Sequence, residues 1–274
     1  MKAFLKSGIL TEGGQIIGAK TGTPQGGILS PLLANIALSI LDEHFAEAWE
    51  SWGNGVSRHY RRSKGLPTYR LARYADDFVV MVAGTKEHAE ALRDDVAAVL
   101  LPMGLRLSEE KTTIVHIDEG FDFLGFRIQR QVKRGSSKRF VYTWPAKKAL
   151  ASITAKVKMI TRMGTHHPLT TLLRRLNLAL AGWTNYFKHG VSKATFGYLG
   201  HYTWFRVLKW LRRKHRRAKY KAIWRRYLRE RWWPAEEGVV LFNPDAVPVT
   251  RYRYRGVNIA SPWDERIKAM ASVA

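Results

Sequence analysis

Two adjacent acids, Asp76 and Asp77, stand in "RYADDFVV" between Leu71–Tyr74 and the apolar run Phe78–Val82. Aspartate is depleted from strands, so the pair marks either a turn or a function. Two carboxylates held at a hairpin turn suit a divalent ion, because Mg²⁺ takes oxygen ligands and keeps water and substrate phosphates in its shell. Two-metal phosphoryl transfer is the corresponding chemistry, and it needs a further carboxylate from elsewhere. A plain polar turn explains the doublet equally well on its own. A second stretch, "TGTPQGGILSPLLANIAL" from Thr21 to Leu38, sets Gly22, Gly26 and Gly27 around Pro24 and Gln25. Its glycines let a nucleotide or template strand approach the backbone closely, just ahead of a helix start. A turn followed by a capped helix accounts for the glycines and the proline but not for their order.

The surrounding elements are α+β. Ser30 followed by Pro31 starts a helix to about Trp49, with Leu33, Ile36, Ala37, Ile40 and Leu41 as its apolar face. A loop from Ser51 to Pro67 leads into strand, tight turn at Ala75–Asp77, and strand. Thr85 caps a helix carrying Ala89, Leu92, Val96, Val99 and Leu100, which stops before Pro102 and Gly104. Leu105, Leu107, Ile114, Val115 and Ile117 suggest a strand. "FDFLGFRI" alternates as a further strand, and the basic turn "KRGSSKR" leads to "FVYTW". Beyond, the chain reads as helical. Pro145 opens one helix with Ala149, Ile153, Val157 and Ile160 on one face and Lys147 and Lys148 off it. Pro168 opens a second, striped by Leu169, Leu172, Leu176, Leu180, Trp183 and Phe187. Ser192 caps a third, running into "WFRVLKWLRRKHRRAKYKAIWRRYLRERWW". From Pro234 the tail reads as loops and short strands. The expected division is an α+β region over 1–130, a basic hairpin connection over 131–144, a helical region over 145–235 and a tail over 236–274.

Lys and Arg number 46 against 22 acids, a net charge of +24. Nucleic acid is the partner such an excess suits best, since separate cations each neutralise a phosphate and release counterions. An anionic membrane surface is the rival, but no stretch reaches the roughly 18 apolar residues of a spanning helix. Met1–Leu10 lacks an apolar signal core, so the expected location is cytoplasmic with no membrane partner. With no cysteine, disulfides, zinc–cysteine sites and thiol nucleophiles are excluded, and no pair among the nine histidines has a convincing ligand spacing.

The ordered series "GTPQGGILSPLLANI", "RYADDFVV", "LPMGLRLSEEKT", "FDFLGFRI" and "LNLALAGWTNYF" resembles group II intron-encoded reverse transcriptases, or maturases, over roughly residues 1–235. The resemblance implies a partial reverse-transcriptase palm followed by an α-helical thumb and maturase domain. It also implies RNA-directed DNA polymerase activity with Mg²⁺ or Mn²⁺, dNTP and an RNA template with a DNA primer, together with binding of intron RNA. By that resemblance Asp76 and Asp77 are the metal pair. Gly22, Pro24, Gln25 and Gly26, with Tyr74 and Ala75, contact template and incoming nucleotide. Lys111 protonates the leaving pyrophosphate, although a solvated lysine reads the same. Phe123, Leu124 and Gly125 match the primer-grip strand. Trp183, Asn185 and Tyr186 match the maturase motif, where Trp183 and Phe187 also suit plain packing.

In this family a further metal-binding aspartate lies in a strand ahead of the glycine loop, and Glu12 is the one acid found in that stretch. The resemblance therefore implies a site whose other half, with the fingers, comes from a longer reading frame or a second polypeptide. The chain alone is expected to polymerise weakly or not at all. The Cys-rich endonuclease of some relatives is not expected. Two other readings stay open: a non-catalytic RNA-binding maturase module, and the remnant of a decayed mobile element. RNA contact is expected from Lys147, Lys148, Arg174, Arg175, Arg212, Arg213, Arg216 and Arg217. Trp204, Trp210, Tyr220 and Trp224 are candidates for stacking on bases.

Overall fold

A computed structural model of the chain describes residues 9–10, 16–17, 30–228 and 232–250. The chain divides into two compact units, Met1–Ile114 and Val115–Ala274, each with its own apolar core.

In the first unit, β1 (Ile9–Leu10) pairs antiparallel with β2 (Ile16–Ile17). Helix α1 spans Ser30–Ser51. Its buried positions are Leu41 and Phe45, while Ile36 is 61% exposed, so the expected apolar face is shifted towards the C-terminal half. The reason is tertiary: the later turns of α1 are those that meet the neighbouring strands and helix. The expected loop from Ser51 to Pro67 contains a helix instead, α2 (Gly55–Ser63). Asn54 caps it by accepting from the Val56 and Ser57 amides at 3.0 Å. No residue of α2 is buried, so no apolar period announces it. It is held by charge on aromatics, with the Arg58 guanidinium 4.1 Å from the Trp49 ring and that of Arg61 5.0 Å from Trp52.

Strands β3 (Thr68–Tyr74) and β4 (Asp77–Ala83) form a hairpin in the register Thr68↔Ala83 to Tyr74↔Asp77. Strand alternation turns Tyr69, Leu71, Phe78, Val80 and Val82 onto a core of Leu41, Phe45, Leu92, Val96 and Leu100. Helix α3 (Lys86–Leu100) supplies the last three. It starts at Thr85, whose amide donates to His88 Nδ1 at 3.1 Å, and ends in a 3-10 turn, Leu101–Met103, closed by Gly104 at φ +71°. The strand expected over Leu105–Ile117 does not form. Alternating apolar residues make a strand only beside a partner edge. This segment instead turns at Ser108, whose carbonyl accepts from the Lys111 and Thr112 amides.

In the second unit, "FDFLGFRI" is not one strand but a tight hairpin, β5 (Phe121–Phe123) and β6 (Phe126–Val132), and β7 (Arg139–Pro145) completes an antiparallel sheet in the order β5-β6-β7. Pro145 ends β7 rather than opening the next helix. Helices α4 (Lys147–Ile160), α5 (Leu169–Phe187), α6 (Lys193–Lys214) and α7 (Tyr220–Tyr227) follow. Their apolar stripes meet in a core that includes Val157, Leu172, Leu176, Leu180, Leu199, Val207, Trp210, Leu211 and Ile223. Ser192 precedes α6 without capping it, because its hydroxyl donates instead to the Phe187 carbonyl at 2.6 Å. A short hairpin, β8 (Ala235–Glu236) and β9 (Val239–Val240), packs against α5. There Asn177 donates to the Val240 carbonyl and accepts from the Phe242 amide, each at 2.7 Å. Glu236 accepts from the Thr170 amide, satisfying a free donor of the first turn of α5.

Candidate functional site

The two carboxylates stand at the tip of the β3–β4 hairpin. Tyr74 and Asp77 are the last paired residues, so Ala75 and Asp76 alone make the turn. Tight strand connections require left-handed backbone, and Ala75 adopts it at φ +54°. A residue with a Cβ resists that conformation by about 1–2 kcal/mol, and Arg73 supplies a compensating hold. Its Nη1 donates to the Ala75 carbonyl at 2.9 Å and to Asn35 Oδ1 at 3.0 Å, while Nε and Nη2 grip the Asp42 carboxylate. The Arg73 side chain is only 12% exposed, so the turn is tied to α1 by a largely buried guanidinium.

Asn35, Asp42 and Arg73 were invisible as site residues to motif reading. A signal was present nonetheless: Asn35 and Asp42 are seven apart, on one face of α1, and Arg73 directly precedes the aspartate turn.

Asp76 and Asp77 are both exposed, and neither side chain forms an ion pair with a described residue. An oxygen-only pair without a cationic partner among the described residues suits Mg²⁺ or Mn²⁺ that is also held by water and phosphate. Among the described residues no group of three acids or histidines is placed to hold a metal. Tyr74, across from Asp77, is exposed on the hairpin face away from the core. Gly22, Pro24, Gln25 and Gly26 lie outside the described residues. Lys111 is exposed on the turn at Ser108, and no hydrogen bond or ion pair among the described residues joins it to the aspartates.

The second unit holds the stretch expected to grip a primer. Leu124 and Gly125 form its turn, with φ +48° and +77°. Leucine is a poor choice for that backbone, and the end of α5 holds it in place. The Tyr186 hydroxyl donates to the Leu124 carbonyl at 2.8 Å, and the Ala146 amide to that of Gly125 at 2.8 Å. Phe126 packs on Phe187 with ring centroids 4.8 Å apart. Two of the family motifs are thus one structure, with Tyr186 bonded to the turn of "FDFLGFRI". A Cβ at Gly125 would lie 3.3 Å from Phe187 Cζ. Gly125→Val, adding branching to a left-handed position, is expected to destabilise this unit by about 2 kcal/mol. Gly125→Asn should cost less, and urea unfolding compares the two.

The β6–β7 sheet carries a charge network centred on Asp118. Arg130 donates to its two oxygens at 2.6 and 2.8 Å, and Arg139 stands 3.4 Å away. The bonded Arg130, aided by His116 and Arg139, holds the Asp118 carboxyl down to about 2, against an ordinary 3.8. A depressed carboxyl stabilises the fold above the unfolded value and loses that contribution as pH falls towards the folded one. The contribution should therefore disappear between 3.8 and about 2. Carboxyl NMR titration of Asp118 checks this, and Arg130→Gln should return the midpoint towards 3.8.

Lys147, Lys148, Arg174, Arg175, Arg212, Arg213, Arg216 and Arg217 are all exposed. Trp210 is not a base-stacking residue: it is fully buried, with its indole N–H on the Met163 carbonyl. Trp204 and Trp224 are half-buried and pack edge to face at 6.3 Å. Tyr220 is exposed, and so is Trp232, an aromatic that motif reading passed over.

Residues 1–128 match the family model described as reverse transcriptase (RNA-dependent DNA polymerase), and residues 150–232 match the one described as group II intron, maturase-specific domain. The chain is 40% identical over 157 residues to Protein YkfC of Escherichia coli (strain K12), an alignment covering 50% of this chain and 41% of that protein. It is 32% identical over 181 residues to the group II intron-encoded protein LtrA of Lactococcus lactis subsp. cremoris, covering 50% of this chain and 30% of LtrA. The chain therefore matches less than half the length of either relative.

Proposed function

The chain belongs to the reverse transcriptase and maturase proteins of group II introns, and on that premise we propose that it takes part in RNA-directed DNA synthesis through Asp76 and Asp77 and grips intron RNA through its helical unit. The observation that carries the polymerase reading is the hairpin tip, where two carboxylates with no ion pair among the described residues sit on a turn that Arg73 ties to α1. A bound Mg²⁺ or Mn²⁺ pair would supply charge stabilisation of the attacking and leaving oxygens. Asp76 and Asp77 would be the residues that hold those ions. The primer 3′ hydroxyl loses its proton to water as it attacks the α-phosphorus of a dNTP, the bond to pyrophosphate breaks, and Lys111 donates a proton to the leaving group. The exposed Tyr74 and the turn at Ala75 face template and nucleotide, and the Phe123–Gly125 turn supports the primer.

DNA synthesis by the 274-residue chain is expected to depend on both Asp76 and Asp77. Primer extension on an RNA template with Mg²⁺ tests this. Extension that survives Asp76→Asn/Asp77→Asn would sink the polymerase reading.

A second reading, a maturase that binds intron RNA without polymerising, is favoured by the run of exposed arginines at 212–217. It requires RNA affinity that weakens steeply with salt, because each phosphate contact releases counterions. An affinity indifferent to salt would remove that support.

A further inference from the structure

A cavity of about 280 Å³ lies between the end of α4 and one face of α6, lined by Lys158, Thr161, Arg162, Arg206, Lys209 and Arg213 over a floor of buried Trp210. Arg206, Lys209, Trp210 and Arg213 follow the spacing of a single helix face. Two of the cations are fixed in direction. Arg206 donates through Nε and Nη2 to Thr161 Oγ1 at 2.9 and 2.8 Å, and Arg213 Nη2 to the Thr161 carbonyl at 2.8 Å.

These bonds lie at the C-terminal pole of α4, which offers about half a negative charge. Five full positive charges converge on it. Among the described residues no carboxylate pairs with any of the five, whereas Arg73, Arg127, Arg130 and Arg139 all have one. Helix stabilisation accounts for Arg206 and Arg213. It leaves Lys158, Arg162 and Lys209 lining the same concave space with no carboxylate partner among the described residues.

We propose that this cavity is a seat for a backbone phosphate of the bound RNA, a fixed anchor distinct from the exposed Arg212, Arg216 and Arg217. The inference rests on the RNA-binding reading of the helical unit and names a site within it. Arg206 and Arg213, already oriented by Thr161, present their remaining N–H groups to phosphate oxygens. Lys158, Arg162 and Lys209 supply charge from the rim. With Trp210 buried and its N–H occupied, the cavity has no aromatic face for a base, so the contact is independent of sequence.

The test compares the full chain with Arg162→Gln/Lys209→Gln, two exposed positions without a structural bond, and with Lys86→Gln/Arg93→Gln as a charge-matched control in the first unit. Affinity for an RNA template annealed to a DNA primer is measured across a salt series. The cavity variant is expected to bind about tenfold more weakly with a salt slope shallower by about one to two, and the control to match the wild type. A cavity variant indistinguishable from the control, in a wild type that binds, would overturn the proposal alone. A wild type that binds no RNA would overturn the RNA-binding reading with it. Inorganic pyrophosphate serves as the competing small anion. If it raises the melting temperature of the wild type but not of the cavity variant, and the RNA slope is unchanged, the seat belongs to a free anion and the proposal fails.

Discussion

Asp76→Asn should reduce DNA synthesis on an RNA template by about a thousandfold or more, because a metal ligand acts on the transition state and each factor of ten corresponds to about 1.4 kcal/mol of barrier. The substitution keeps the shape of the side chain and removes its charge. Asp76 is exposed and free of ion pairs with described residues, so the fold loses nothing measurable. RNA affinity should stay within about threefold of the wild type, or rise, since one negative charge less favours a polyanion. Measuring both quantities on one preparation separates the polymerase reading from the maturase reading. Loss of RNA binding in a folded Asp76→Asn protein would show that the two activities do not divide as the geometry suggests.

Arg73→Ala is expected to lower synthesis by about a hundredfold, the scale on which misplacement of a catalytic group by an ångström acts. The guanidinium is the sole described link from the Ala75 carbonyl to α1, and its removal strands the Asp42 carboxylate as well. Stability should fall by about 1–2 kcal/mol, since the hydrogen bonds of the largely buried guanidinium are lost while Asp42, 45% exposed, is taken up by water. Arg73→Lys is the discriminating companion. A lysine keeps the charge but cannot grip Asp42, Asn35 and Ala75 together through a planar fork. If Lys restores stability while synthesis stays low, Arg73 acts by placing the turn; if Lys restores both, its charge alone suffices.

Much of this architecture was readable from residue pattern. The β3–β4 hairpin, α3 and its Thr85 start, and the long stripe of α5 follow from alternation, capping and helical spacing, all local signals. The failures share a cause outside the local window. Helix α2 has no buried face, so periodicity is silent and its anchors are arginines lying on Trp49 and Trp52. The strand expected at 105–117 had the composition but no partner edge. "FDFLGFRI" alternates like one strand, yet Gly125 and the bond from Tyr186 fold it into a turn. At the site, motif order singled out Asp76 and Asp77 but not Arg73, Asp42 or Asn35, whose meaning depends on α1 lying beside the hairpin. Trp210 shows the opposite error: in a basic, aromatic stretch it reads as a base-stacking residue, and helix packing makes it core.

The most direct test of the central claim needs no catalysis. Mn²⁺ is added to the isotopically labelled chain, and paramagnetic broadening of backbone amides is followed residue by residue. The account predicts broadening centred on the hairpin tip, at Ala75 to Phe78, that is lost in Asp76→Asn/Asp77→Asn while the rest of the spectrum is unchanged. Broadening centred elsewhere, or unaltered by the double substitution, would contradict the assignment of these two aspartates as the metal-holding part of the site.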